Sequence, residues 1–164
     1  MNNQNLLQTP KTFLRTITII HLAMLLGQAL FAIVVFSLIK NTGIDLKDTK
    51  DPFLFVVPIM AIGCFTASVF VFKSKINEAA NKPTLKGKLM AYQAAFIIQV
   101  ALLQGASLFG IVVYDVTRNF LYLLISIVII LYFIMIRPTK EKITDSLNLD
   151  YEEKMQFDSE DVLV

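Results

Sequence analysis

Five polar side chains sit within otherwise apolar stretches of this sequence, and they are its best candidates for chemistry. They are His21, Gln28, Gln93, Gln99 and Gln104. An imidazole can carry a proton near neutral pH, and a carboxamide can hydrogen-bond a neutral solute or a neighbouring helix. His21 and Gln28 are seven residues apart and Gln93 and Gln104 eleven apart, so each pair shares one face of a helix. Gln99 lies on a different side from Gln93 and Gln104.

Two interpretations of these polar residues are open. In one, they line a polar path through a bundle of helices. In the other, which we favour, they join helices through interhelical hydrogen bonds of about 0.6–2 kcal/mol each. No carboxylate lies near His21 in the sequence, so we predict no metal site and no proton relay there.

The motifs of common enzyme classes are absent from the sequence. It contains no Gly-rich phosphate loop, no His-x-x-x-His pair and no nucleophile elbow. Ser107 lies in an apolar stretch and has no candidate base other than His21. We therefore expect a protein that is not an enzyme, has no catalytic residues, and binds no metal and no cofactor.

The elements that must position the polar side chains are four long apolar segments. They span residues 16–39, 53–72, 91–113 and 119–136, and none contains Asp, Glu, Lys or Arg. Each is close to the ~20 residues that cross a bilayer as a helix. With 55% hydrophobic residues, the chain is predicted to be an all-α membrane protein with four transmembrane helices. These segments form a transmembrane domain of residues 16–139. A polar segment (residues 1–15) precedes the domain, and an acidic cytoplasmic tail (residues 140–164) follows it. We expect the end of this tail to be a solvated, flexible terminus, or alternatively a segment that binds a partner.

The charges of the connections predict the orientation in the membrane. The middle connection carries five lysines against Glu78 alone, whereas lysines and aspartates alternate in the first connection. Because positive residues mark the cytoplasmic side, both termini and the middle connection are expected inside. We predict a multi-pass protein of a bacterial inner membrane whose partner is the lipid bilayer, without binding to nucleic acid.

The sequence is predicted to contain one two-helix unit twice. IIHLAMLLGQALFAIVVF (residues 19–36) and IIQVALLQGASLFGIVVY (residues 97–114) agree at ten of eighteen positions without a gap. At a second offset, Lys73-Ser-Lys-Ile matches Lys140-Glu-Lys-Ile. These matches predict two tandem related hairpins in the same orientation.

Small residues predict where helices pack. Because burial from lipid offers no hydrophobic gain, membrane helices associate where small side chains let their backbones approach. The predicted packing residues, four apart in each helix, are Ala23 and Gly27, Gly63 and Ala67, and Ala101 and Gly105. Helices 1 and 3 are therefore expected to make the closest contacts, with helix 4 mostly facing lipid.

The segment ALLQGASLFGIVV (residues 101–113) resembles the ion-carrying helix of the proteolipid c subunits of rotary ATPases. The preceding loop KINEAANKP (residues 75–83) is similar to their cytoplasmic loop, and residues 23–35 repeat the helix pattern. The family binds its ion at a buried carboxylate, but the two aligned positions here are Leu26 and Gln104, which cannot ionise. The Gly-repeat helix is missing and the helix order is permuted. The resemblance therefore implies a relative that has lost ion transport.

The sequence thus predicts a non-enzymatic integral membrane protein. It is expected to be a structural or accessory subunit of a larger membrane complex, or a homo-oligomer, with other membrane subunits or itself as partner. The alternative is a small transporter or channel subunit, for a neutral solute or ion, with the polar residues lining its path. The absence of charge within the apolar segments favours the first function.

Overall fold

The residues described form six α-helices. The computed structural model describes residues 9–39, 42–45 and 51–159. In chain order the helices are α1 (Pro10–Leu38), α2 (Phe53–Ala80), α3 (Leu85–Thr117), α4 (Phe120–Met135), α5 (Lys140–Ser146) and α6 (Tyr151–Asp158). The prediction of an all-helical protein is confirmed. Residues 1–8 of the predicted N-terminal segment, Lys40, Lys47 and Lys50 of the first connection, and Glu160 and Asp161 of the tail lie outside the described residues.

Three of the helices are long and apolar enough to cross a membrane: α1, α2 and α3. α4 has 16 residues and a length of about 24 Å, which is short of a hydrocarbon core of about 30 Å. α4 is long enough to cross a membrane only when it is taken together with α5, and the axes of the two helices are bent by 84°. The chain is therefore a multi-pass membrane protein with three candidate spans, or four if the bent pair counts as one.

The helices begin where a side chain can satisfy the first free backbone N–H groups. Thr9 accepts from the backbone N–H of Thr12, and Thr84 from that of Gly87. These caps start α1 at Pro10 and α3 at Leu85, six residues before each predicted apolar segment. α2 continues past residue 72 to Ala80, and the Asn81–Pro83 turn ends it. The polar residues beside the apolar segments are thus helical as well.

α3 is the centre of the bundle and contacts α1, α2 and α4. Its most extensive contacts are with α2 and α4, so the prediction that helices 1 and 3 make the closest contacts is wrong within one chain. The α3 and α4 backbones approach closely at Gly110 of α3, where an added Cβ would collide with Ser126 Oγ of α4. Ser126 fixes this crossing, because its hydroxyl donates to the carbonyl oxygen of Ser107 at 2.9 Å.

Helix 4 was expected to face mostly lipid, but one side of α4 is buried in the bundle. The buried residues recur at helical spacing: Tyr122, Leu123, Ser126, Ile129 and Phe133. The opposite side is exposed, including Val128 and Leu131. α4 contains no Gly or Ala, but the small side chain of Ser126 is enough to let the α3 backbone approach.

One end of the bundle, here called the lysine-rich end, joins the start of α1, the α2–α3 connection, α5 and α6. Phe13, Leu89 and Phe157 from these parts share one buried apolar cluster. Lys88 Nζ lies 2.6 Å from the Glu153 carboxylate, and Lys140 pairs with Asp158. The acidic tail, as far as Ser159, is therefore folded against the bundle and not free in solvent.

The opposite end is closed by the α3–α4 turn. The Asn119 side-chain amide donates to the carbonyl oxygen of Asp45 at 2.7 Å. The backbone N–H of Phe120 donates to the carbonyl oxygen of Gly43 at 2.8 Å. The Tyr122 hydroxyl donates to Asp51 at 2.5 Å. These bonds connect the segment after α1 and the start of α2 to α4.

Candidate functional site

His21 joins three helices at the buried face of α1. Its Nε2 lies 2.9 Å from the carbonyl oxygen of Phe133. A carbonyl can only accept, so Nε2 carries the proton in this bond. The imidazole stacks on the Phe133 ring at 5.0 Å and lies 5.8 Å from the Phe96 ring. In this setting the ring connects helices, and the described part of the chain places no cluster of metal ligands around it.

The bond from His21 belongs to the C-terminal cap of α4. The last four carbonyl groups of a helix lack donors from within it. Here Lys142 Nζ donates to Met135 at 2.7 Å, and backbone N–H groups of residues 136 and 137 donate to Tyr132 and Ile134. His21 supplies the remaining donor, to Phe133. The side chains of His21 and Lys142 thus complete the hydrogen bonding of the last turn of α4.

Gln28 does not make the interhelical bond that would join helices. Its side chain is fully buried, and neither amide atom has a hydrogen-bond partner among the described residues. The hydroxyl groups of Ser107 and Tyr114 are likewise buried without a hydrogen-bond partner among the described residues. In a bilayer such groups find no water, so each weakens the fold by about 1–3 kcal/mol.

The remaining glutamines of α3 lie in different surroundings. Gln93 and Gln104 are half-buried, whereas Gln99 is 5% exposed and lines a cavity. The structure therefore does not gather the five predicted polar residues into one site. His21, Gln28, Gln93 and Gln104 are all absent from the lining of that cavity.

The predicted packing residues face away from the rest of the chain. An added Cβ at Gly27, Gly63 or Gly105 would meet no atom within 4 Å. Ala23 and Ala101 are exposed, and Ala67 is partly exposed. Within one chain, the close helix packing is at Gly110 and not at these positions. The exposed small residues leave room for a second protein to approach.

No protein-family model, curated protein or solved structure matches this chain.

The cavity that Gln99 lines has a volume of about 580 Å³ and lies at the lysine-rich end. α2, α3, α4 and α5 surround it. Its walls are mostly apolar and include the aromatic side chains of Phe72, Tyr92, Phe96 and Tyr132. This volume is within the range of about 300–1,000 Å³ that small-molecule sites occupy.

Charged and polar residues surround the mouth of the cavity. Lys73, Lys142 and Asp145 are exposed lining residues there, with Asn77 and Ser146 beside them. Lys73 and Lys142 come from the two matched Lys-x-Lys-Ile segments. The described residues contain no group of three or more His, Cys, Asp or Glu that could hold a metal ion. The cavity can thus bind by charge, hydrogen bonds and apolar contact.

Among the residues that line the cavity, only Gln99 was predicted from the sequence to be functional. The matched Lys-x-Lys-Ile segments were a partial signal, since both place a lysine at the mouth. Tyr92 gave no signal, because an aromatic residue near a helix end is common in membrane proteins.

Proposed function

We propose that this chain is a non-enzymatic integral membrane protein that works by association, as an accessory subunit of a larger membrane complex or as a homo-oligomer. The observation that carries the proposal is the open space around Gly27 and Gly105. Glycine inside a helix costs about 1 kcal/mol relative to alanine. Lipid contact gives no reason for that cost, whereas close approach of another helix does.

Uncovered apolar surface supports the same proposal. α1 and α2 contribute large exposed side chains along their length, among them Leu30, Ile33, Ile59 and Phe70. Lipid can cover such surface, and so can a second membrane protein. The pairs Ala23–Gly27 on α1 and Ala101–Gly105 on α3 are the places where a partner helix could come closest.

The finer topology is part of the proposal. The lysine-rich end lies in the cytoplasm, both termini lie inside, and α4 with its bent continuation forms a fourth span in a bacterial inner membrane. The two hairpins descend from one duplicated unit. The charge distribution supports the orientation. Eleven of the fifteen Lys and Arg residues of the sequence belong to the segments of the lysine-rich end, and the three lysines of the first connection alternate with aspartates.

A small transporter or channel subunit is the second candidate, favoured by Gln99 in the cavity. The other four polar residues do not extend the cavity into a path, and Gln28 is sealed in packed protein. Association therefore has the stronger support.

The test is native mass spectrometry of the protein extracted from its own membrane in mild detergent. The parent is expected to carry additional protein chains, either copies of itself or other subunits. Gly27→Leu and Gly105→Leu should reduce this species at least severalfold, because a larger side chain separates the backbones. Val128→Leu enlarges an exposed side chain on α4 and should change nothing. An entirely monomeric parent, or glycine variants that assemble like the parent, would contradict the proposal.

A further inference from the structure

Two buried polar side chains open into the cavity at the lysine-rich end, and no group among the described residues satisfies them. Gln99 is 5% exposed and Tyr92 is 3% exposed, and both line the cavity. Unlike the sealed amide of Gln28, their polar atoms are not closed off by packed protein. These atoms remain accessible from the cavity and accept or donate no hydrogen bond within the described residues, so a ligand that enters the cavity can pair with them.

We propose that this cavity binds a small, flat, mainly apolar acid that carries a hydrogen-bonding group at the end opposite its acidic group. The proposal concerns a ligand and does not depend on the association proposed above. It follows from the walls, the mouth and the length of the cavity.

The walls present flat aromatic surface. The rings of Tyr92 and Phe96 are nearly parallel, 7° apart in orientation with centroids 6.3 Å apart. Phe72 meets Tyr92 edge-on at 5.8 Å. Aromatic rings pack well against other flat rings, by stacking or by edge contact. A planar apolar body therefore suits this cavity.

The mouth favours an anion. Lys142 is held there because its Nζ donates to the carbonyl oxygens of Met135 and Arg137 at 2.7 and 3.3 Å. Lys73 has no ion-pair partner among the described residues, and Asp145 is the only acid of the lining. Two cations against one anion attract an acidic group, and a charge-assisted hydrogen bond to lysine is stronger than a neutral one.

The length of the cavity separates the two polar ends of the ligand. Tyr92 and Gln99 are seven residues apart on α3, or about 10 Å along the helix. Gln99 is the lining residue of α3 farthest from the lysine-rich end. A lipid acyl chain in the cavity would leave the Gln99 amide unpaired, whereas a hydroxyl or carbonyl at the inner end of a small acid would pair with it.

The test uses 4′-hydroxybiphenyl-4-carboxylate, a flat molecule with a hydroxyl and a carboxylate at its two ends. Binding to the full chain in phosphatidylcholine nanodiscs is measured by saturation-transfer NMR, against empty nanodiscs. Biphenyl-4-carboxylate, which lacks the hydroxyl, is the comparison probe. The hydroxylated probe is expected to bind more tightly, since a site built for a hydrogen bond discriminates against the analogue without it.

Variants assign the contacts. Gln99→Leu should weaken binding of the hydroxylated probe about tenfold and leave biphenyl-4-carboxylate unchanged. Lys73→Gln should weaken both probes about tenfold. Gln93→Leu and Lys75→Gln make the same chemical changes outside the cavity lining and should have no effect. If Gln99→Leu does not fold, Gln99→Met, which keeps the length of the side chain, tests the same inner end by the same comparison of probes.

Two results would overturn the proposal. One is binding of the hydroxylated probe that does not exceed binding to empty nanodiscs. The other is an equal loss of both probes in Gln99→Leu and Gln99→Met, because the inner polar group would then have no partner on the ligand.

Discussion

The imidazole Nε2 of His21 on α1 donates a hydrogen bond to the carbonyl oxygen of Phe133, which lies 112 residues away in the last turn of α4. The bond satisfies a carbonyl that the helix cannot satisfy itself. It gives the only histidine of the chain a structural task. The bond also joins the end of α4 to α1. The contacts between α1 and α4 are otherwise less extensive than those between α3 and α4.

Replacing His21 should therefore destabilise the end of α4. His21→Leu leaves the Phe133 carbonyl buried without a donor, at a cost of about 1–3 kcal/mol. The free energy of unfolding can be measured by denaturant titration in detergent micelles. Gln104→Leu, which removes a half-buried amide without a protein partner in the structure, is the control and should change stability little. Equal stability of His21→Leu and the parent would exclude the capping role.

Two glycines in helix interiors should respond oppositely to alanine. Gly110→Ala brings a Cβ against Ser126 Oγ and within 3.1 Å of the Tyr122 carbonyl oxygen, so α3 and α4 must separate. We expect a loss of about 1–3 kcal/mol. Gly63→Ala enters open space and should stabilise α2 by up to about 1 kcal/mol. The measurement is the thermal unfolding temperature of both variants in the same detergent. A higher unfolding temperature for Gly110→Ala than for the parent would disprove the close contact.

The ion pair between Lys88 and Glu153 should matter more than the one between Lys75 and Glu78. Its side chains are 11% and 16% exposed, against 49% and 62% for the other pair. Lys88→Met leaves Glu153 nearly buried and unpaired, which should cost about 2–3 kcal/mol. Lys75→Met should cost under about 0.5 kcal/mol. The double change Lys88→Met with Glu153→Met should recover part of the loss, and a further loss in place of recovery would refute the coupling.

The orientation in the membrane can be read from cysteine labelling. In a Cys64→Ala background, a cysteine replacing Gly43 should react with a membrane-impermeant maleimide on intact cells, because positive residues stay inside. A cysteine replacing Lys82 should react only after the membrane is permeabilised. The reverse pattern would place both termini outside.

Carbodiimide labelling examines the resemblance to ion-carrying c subunits. A c-type mechanism needs a carboxylate that gains and loses a proton at membrane depth, and residues 91–113 contain none. We expect no label in that segment after digestion and mass spectrometry. Gln104→Glu is the positive control, because a carboxyl at this depth stays protonated and reactive. Label in residues 91–113 of the parent would contradict the expectation.

The positions of the helices could be predicted from this sequence more readily than the side of each helix that is buried. Uncharged apolar runs and caps such as Thr84 are local signals, and the helices follow them. Gly27, Gly63 and Gly110 look alike in sequence, yet only Gly110 meets a neighbouring helix, because long-range packing decides which side of a helix is buried. Gln93 and Gln99 differ in the same way.

The tail shows how composition can mislead. A solvated terminus was predicted only for the end of the tail, where residues 160–164 lie outside the described residues. Before that end, and without any sign of it in the acidic composition, Ile143, Leu147, Leu149 and Phe157 are buried against the bundle. Four apolar side chains at irregular spacing give no clear helical or strand period. Glu153 is held by Lys88, a partner that no local pattern links to it.

The contribution of α6 to the lysine-rich end has a consequence for biosynthesis. Phe13 and Phe157 belong to one cluster, but they leave the ribosome far apart in time. At about 5–20 residues per second, the delay is roughly 7–30 s. Towards the end of that interval the membrane helices are already made, while Leu89 and its neighbours still lack the cover that α6 provides. The last event in forming this end is therefore arrival of α6 from the ribosome, after the bilayer has received the rest.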